Sequence, residues 1–308
     1  MKLNLIQIQT ASFCNARCIF CPYKNSWMID NPGIMNLDTY INILEQISEI
    51  DGDFYGRFCP YLMNEPFMDK WLDRLIEIAY QYLPNMELEI STNAGVMKND
   101  IMKRVVDIIL KYNKNEKTKI KISHHGINKE MIEEIMKIPY EQTLRNIMDY
   151  LEYNNGRIKT VIAGLGVSKD NSISLFTKEE YLNYWNDIFF KKNPKLSINT
   201  DIIYYPFHNR AGNVRMDDWR YAPKVREIDK NHPFDCSRLH GTVHILWNGD
   251  VLPCCMDYNH EYPLGNIHEK KIVDIFRDKP WKDFYAMARG RKESPDNFIC
   301  KRCMSPGG

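Results

Sequence analysis

Apolar and polar positions along this chain fall into two rhythms that take turns. Residues 2–9 alternate as a strand. From Leu37 to Ile50 the apolar residues Tyr40, Ile41, Ile43, Leu44 and Ile47 recur at helical spacing, with Asn36 or Asp38 placed to cap the helix. The exchange then repeats. Strands are predicted at Arg57 to Met63, Met86 to Thr92, Lys119 to Ser123, Ile158 to Val167 and Thr200 to Phe207. Helices are predicted at Asp69 to Tyr82, Ile101 to Tyr112, 128–138, 141–153 and Thr177 to Phe190, the last opened by a Thr177-x-x-Glu180 capping box. Strand followed by helix, six strands in all, argues for parallel strands joined by right-handed crossovers. Six such strands suit an open, partial barrel. Reactive groups in folds of this kind gather at the carboxyl ends of the strands.

After Phe207 the pattern changes. Pro206, Pro223 and Pro233 interrupt it, and short strands (Thr242 to Trp247, Val251 to Leu252) precede helices near Ile272 to Phe276 and Trp281 to Ala288. The expected organisation is an α/β domain over 1–207 and a smaller appendage over 208–308, with a frayed tail from Ser305. No internal repeat or low-complexity tract interrupts either part.

Composition narrows the classes. The chain has 308 residues, 41 basic and 40 acidic, for a net charge of +1, which gives no overall pull toward nucleic acid or an anionic membrane. No run of about 18 apolar residues predicts a membrane span, and Met1-Lys2-Leu3-Asn4 does not open a secretory signal. Nine cysteines without export fit a reducing cytoplasm, where clustered thiols bind metal more often than they form disulfides.

Three of those thiols carry the chemistry. Cys14-x3-Cys18-x2-Cys21 closely follows the first strand. Thiolates are the usual protein ligands of iron–sulfur clusters, and three of them leave one iron of a four-iron cube open to another ligand. A zinc site needs four ligands, usually in two pairs, and no partner His or Cys lies near this run. The stretch resembles the signature of the radical S-adenosylmethionine (AdoMet) superfamily, including the aromatic Phe20 before the last cysteine. The resemblance implies a partial (β/α)6 barrel and a [4Fe-4S] cluster that binds AdoMet through its open iron. It also implies reductive cleavage of AdoMet to methionine and a 5′-deoxyadenosyl radical, with Phe20 near the adenine.

Further phrases at strand ends resemble that family. Asn64-Glu65-Pro66 stands where a Gly-Gly-Glu-like turn binds the AdoMet amino group, with Asn64 in place of glycine. A charge-assisted bond from ammonium to Glu65 is the implied contact; an ordinary loop acid is the alternative. Ser91-Thr92-Asn93-Ala94-Gly95 resembles a Thr-Asn-Gly turn beside AdoMet, and equally suits a strand-to-helix turn. Ser123 is a candidate ribose contact. His124 and His125, which follow it, must alternate faces, and a solvated histidine is the simpler reading of each. Gly164, in Gly164-Leu165-Gly166-Val167-Ser168, marks where the family packs backbone against adenine. Cys59 reads as a packed thiol.

The appendage holds a second set: Cys236, Cys254, Cys300 and Cys303. Four thiols suit a fully ligated cluster that passes electrons, or a structural zinc. The phrases Gly249-Asp250-Val251-Leu252-Pro253-Cys254-Cys255, Leu264-Gly265-Asn266-Ile267 and Cys300-x2-Cys303 resemble the SPASM/twitch appendage of radical AdoMet enzymes, which implies one auxiliary iron–sulfur cluster, in the twitch manner. Cys255 is the spare thiol: packed, a substitute ligand, or a hydrogen donor as in peptide epimerases of the superfamily. His208-Asn209-Arg210-Ala211-Gly212 resembles a phrase of aminocyclitol-oxidising twitch enzymes, where the arginine approaches the hydroxyl being oxidised; pairing of Arg210 with Asp217 or Asp218 is the plain alternative.

The expected function is two-electron oxidation of a small polar substrate, sugar-like or cyclitol, with flavodoxin or ferredoxin as electron donor. No nucleic acid or membrane partner is expected. The rivals are modification of a short ribosomal peptide, by epimerisation or cross-linking, and a zinc-stabilised binding module.

Overall fold

A computed structural model describes residues 2–165, 176–205, 208–214 and 225–303. Gly166, Val167, Ser168, Pro206, Phe207, Asp217, Asp218, Pro223 and the tail from Ser305 lie outside the described residues. The chain forms two compact units: Met1–Ser12 with Phe20–Asn64 and His208–Gly308, and Phe13–Ile19 with Glu65–Phe207.

In the first unit, β1 (Leu5–Ile8) pairs in parallel with β2 (Arg57–Cys59) on one side and β7 (Thr242–Ile245) on the other. The edge then turns antiparallel through β8 (Asp250–Leu252) and β9 (Gly265–Asn266). Thus the first strand of the appendage continues the sheet of the amino-terminal strand. Ile6, Ile8, Phe58, Val243 and Ile245 are fully buried on one face, as are Ile43, Leu44 and Ile47 of the Leu37–Ile50 helix. That helix forms over the predicted span because its apolar stripe is regular and Asn36 caps it, accepting from the Asp38 N–H at 2.8 Å.

The second unit holds β3 (Glu87–Thr92), β4 (Lys119–Ser123), β5 (Lys159–Leu165) and β6 (Thr200–Tyr205), all parallel and in chain order. Helices Leu72–Tyr82, Asn99–Tyr112, Lys129–Ile135, Tyr140–Asn154 and Lys178–Asn183 come before or between them. One sheet face carries Leu88, Ile90, Ile120, Ile122 and Ile162, all buried. The other carries ions: Lys119 bonds Glu87 at 2.7 Å and lies 3.3 Å from Glu89, and Lys159 bonds Asp201 at 2.7 Å. Lys121 Nζ lies 4.6 Å from the centroid of Tyr205. That second face also carries the buried Val161, Ala163 and Leu165, so it mixes ions with apolar side chains.

The Thr177 capping box is present in both directions. The helix it opens runs only Lys178–Asn183 before widening into a π-turn over Tyr184–Phe190. That widening presents Tyr184 and Trp185 to His124.

Candidate active site

Glu65 anchors the second unit's polar centre. It follows β2 in sequence, and its N–H donates to the Phe13 carbonyl at 2.9 Å. Its carboxylate accepts from Thr92 Oγ1 (2.6 Å), the Asn93 N–H (2.7 Å) and the Phe67 N–H (3.2 Å). Burial pushes its carboxyl up to about 7, against the opposing pull of those three donors. Asn93 in turn donates to Asn15 Oδ1 at 2.9 Å and to Cys14 Sγ at 3.9 Å, and accepts from the Gly95 N–H at 2.8 Å. A Cβ at Gly95 would sit 2.6 Å from Asn15 Nδ2, so the turn needs a glycine. Thr92 Oγ1 accepts from the Ala94 N–H, which supports the left-handed backbone at Ala94 (φ 60).

The cysteine loop is fixed to the same unit by its backbone. Arg17 and Ile19 N–H groups donate to the carbonyls of Met136 and Ile135, Cys18 Sγ lies 3.9 Å from the Met136 carbonyl, and Arg17 Nη1 bonds the Cys14 carbonyl at 2.6 Å. Cys14, Glu65 and Asn93, separate in sequence, therefore share one network. Ser123 ends β4 on the ion-bearing face, half-buried, and His125 projects from that same face, its Nδ1 accepting from the Leu165 N–H at 3.0 Å.

One expectation needs correction. His124 is not solvated: it is fully buried against Tyr184 and Trp185, and burial lowers its pKa to about 3. Gly164 lies on the helix-covered face, where a Cβ would meet the Tyr181 ring at 2.6–2.8 Å, so no larger side chain fits there.

The first unit has its own polar centre. Phe20 and Cys59 are buried there, and Cys21 is half-buried. Asn64 accepts from the Leu62 N–H at 3.0 Å, while its Nδ2 is buried without a partner. Arg238 Nε donates to Cys255 Sγ at 3.1 Å. Cys255 is held well below the usual thiol range, by its bond with Cys254 and then by the charge of Arg238. Arg238 is raised by the charge of Cys255. His208 is pulled down to about 4, first by burial and then by Arg210 and Arg238, and its Nδ1 accepts from the Arg210 N–H at 3.0 Å. Arg210, Ala211 and Gly212 form a left-handed turn (φ 50, 57 and 76), costing roughly 1 kcal/mol or more at each non-glycine position. Asn209 holds that turn by donating to the Arg302 carbonyl at 2.9 Å. The Tyr258 hydroxyl is raised by burial first, then by Cys21, to which it hydrogen-bonds, and it feels Arg210 and Cys255 as well.

The remaining thiols lie close by in the same unit. Burial raises Cys300, and Cys303 and Cys236 raise it further. Among the described residues, no three sulfurs lie within 4.8 Å of one another. Ligands of a single zinc stand about 3.8 Å apart, given Zn–S near 2.3 Å. A four-iron cube, which takes each thiolate on a separate iron, needs no such convergence. Four soft thiols with Arg226 and Arg238 among them fit a cluster, whose negative charge cations stabilise. On the other side, Cys14 and Cys18 stand half-buried in a loop already fixed by backbone bonds, which suits a metal ligand set.

Comparison with known families decides between these readings. The model of the Radical SAM superfamily matches residues 8–175, more than half of the chain. The chain belongs to the radical SAM superfamily. Residues 236–304 match the SPASM iron–sulfur cluster-binding domain. The enzyme therefore uses [4Fe-4S] clusters and AdoMet, and it is an oxidoreductase. It is 23% identical over 301 residues to the S-adenosyl-L-methionine-dependent 2-deoxy-scyllo-inosamine dehydrogenase of Niallia circulans, covering 97% of this chain and 92% of that protein. It shares its fold with crystalline BtrN in complex with AdoMet and 2-DOIA (19% identity, TM-score 0.58, 99% of this chain and 95% of that one). It shares it also with Streptococcus suis SuiB bound to its precursor peptide SuiA (16% identity, TM-score 0.57, 99% and 76%). Among the described residues no helix is long and apolar enough to cross a membrane.

Arg238, His244 and Tyr258 escaped the sequence reading, and His208 was read only as the first residue of the Arg210 phrase. Arg238 had one weak signal, lying two positions after Cys236; His244 and Tyr258 had none.

Proposed function

We propose that this enzyme oxidises an alcohol carbon of a small cyclitol or sugar-like substrate by two electrons. The observation that carries the reading is the polar centre of Arg210, His208, Arg238 and Tyr258, in a chain that matches a cyclitol dehydrogenase nearly end to end.

Cys14, Cys18 and Cys21 would hold the cluster that binds AdoMet, and Cys236, Cys254, Cys300 and Cys303 the auxiliary one. Bound there, these groups supply AdoMet cleavage, removal of one substrate hydrogen atom and uptake of one electron. The chain supplies orientation. Glu65 accepts from the AdoMet ammonium and Asn93 fixes the loop beside it; Asn64, with an unused buried amide donor, takes a further AdoMet oxygen. Phe20, Ser123 and the Gly164 backbone face the adenosine. Arg210 holds the substrate hydroxyl, and His208, whose Nδ1 accepts from the Arg210 N–H so that its own proton sits on Nε2, positions that turn, the hydroxyl proton leaving to solvent. We assign residues 1–207 to the AdoMet domain and 208–308 to the auxiliary-cluster domain, the whole working in the cytoplasm with flavodoxin or ferredoxin as donor.

The test is anaerobic incubation with AdoMet, reductant and 2-deoxy-scyllo-inosamine or cell extract. The expected result is 5′-deoxyadenosine with a product lighter by two hydrogens; epimerised or cross-linked peptide instead would contradict it. The peptide reading keeps one observation, SuiB's fold. The Arg238 bond weighs against Cys255 as its donor, since a hydrogen-atom donor must keep its proton. Loss of product in Cys255→Ala, with AdoMet cleavage retained, would favour that rival.

A further inference from the structure

Among the described residues, three neighbouring side chains of the first unit are buried with nothing to bond. Gln9 is 0% exposed and neither amide atom has a partner; His244 is 0% exposed and neither ring nitrogen has one; Thr10 is 1% exposed and its hydroxyl is alone. Two of them share a surface. β1 and β7 are parallel with Gln7 opposite His244, and the Gln9 N–H donates to the Ile245 carbonyl at 2.9 Å. Side chains alternate along a strand, so Gln7, Gln9 and His244 leave one face while Ile6, Ile8, Val243 and Ile245 fill the other. Thr10 follows Gln9 directly. Packed folds pair nearly all buried polar groups. Four orphaned atoms on two side chains of one face, with the Thr10 hydroxyl next along the chain, point to a partner from outside the chain.

The chemistry of that partner follows from the atoms. An amide, an uncharged imidazole and a hydroxyl each offer a donor and an acceptor, and none carries charge. A carboxylate or phosphate would call for donors only, an ammonium for acceptors only. A hydroxyl needs one of each. We infer that Gln9, Thr10 and His244 read the non-reacting hydroxyls of a polyhydroxylated ring. The inference rests on the proposed function and names the residues that select its substrate class.

The test uses reconstituted holoenzyme with AdoMet under anaerobic conditions, with myo-inositol and 2-deoxy-scyllo-inosamine as probes. Gln9→Met and His244→Phe replace the orphans by apolar groups of similar shape; Thr10→Val is the mildest change and guards against misfolding in the other two. Bonds to non-reacting hydroxyls are made equally in ground and transition states. Each of the first two variants should therefore raise KM roughly tenfold with kcat nearly kept, and Thr10→Val less. Ligand-free Tm should hold or rise, because an unpaired group is gone, while the Tm gain from the probe shrinks. Wild-type turnover with unchanged KM in all three variants, and a lowered ligand-free Tm, would overturn this inference alone and assign the atoms to trapped water. A wild type that converts peptide and neither polyol would overturn the proposed function with it.

Discussion

The two units solve the same problem, a polar interior, in opposite ways. Around Glu65 every carboxylate oxygen is engaged, and Thr92, Asn93, Asn15 and Cys14 close the network. On the Gln9 and His244 side chains no polar atom is engaged. The first arrangement is built before any ligand arrives, which suits a cofactor that never varies. The second stays unsatisfied, which suits a group that must be selected. Pre-organisation saves the ordering cost of binding; an orphaned site penalises any ligand that lacks the matching groups.

Removing metal ligands should separate the regions most sharply. Cys14→Ser, Cys18→Ser or Cys21→Ser should take 5′-deoxyadenosine below detection. Cys300→Ser should keep AdoMet cleavage and lose the oxidised product, as product analysis by mass spectrometry would reveal. Next comes Glu65→Gln, which deletes the charge from the ammonium contact; AdoMet affinity should fall roughly ten- to a hundredfold by equilibrium dialysis. A loss under twofold would make Glu65 an ordinary loop acid.

The same carboxyl predicts two opposed pH slopes. Its folded pKa near 7 lies above the ordinary 4.5, so the folded chain binds the proton more tightly. The stability it contributes is complete below about pH 4.5 and is lost as pH rises toward 7, on the order of 3 kcal/mol. Ligand-free Tm should thus fall between pH 5 and 8, while AdoMet affinity rises over the same range as the carboxylate forms. Glu65→Gln should flatten both.

Smaller effects test the scaffold. Gly164→Ala should cost about 1–3 kcal/mol by denaturant titration, since Tyr181 must yield. Thr177→Ala removes a cap and should cost about 1 kcal/mol without changing turnover.

Local signals were legible in the sequence, and distant ones were not. Leu37–Ile50 and Lys119–Ser123 match their expected ends because stripe, cap and alternation are all local. The Thr177 box was readable too, but not the π-turn after it: Tyr184, Trp185, Phe189 and Phe190 are apolar at either spacing. The pairing of Thr242–Ile245 with Leu5–Ile8 joins segments over 230 residues apart, and no local pattern marks it. The site divides likewise. Cysteine spacing gave the candidate metal ligands, whereas the Glu65–Asn93 bond and the assembly of Arg238, His208 and Tyr258 depend on the fold.

The central claim is that one chain holds two iron–sulfur clusters of different ligation, and iron counting with EPR tests it most directly. Anaerobically reconstituted wild type should carry roughly eight irons and the Cys14→Ala/Cys18→Ala/Cys21→Ala protein roughly four. AdoMet should perturb the reduced spectrum of the wild type alone. Zinc in place of iron, or the same iron content and spectrum in both proteins, would contradict it.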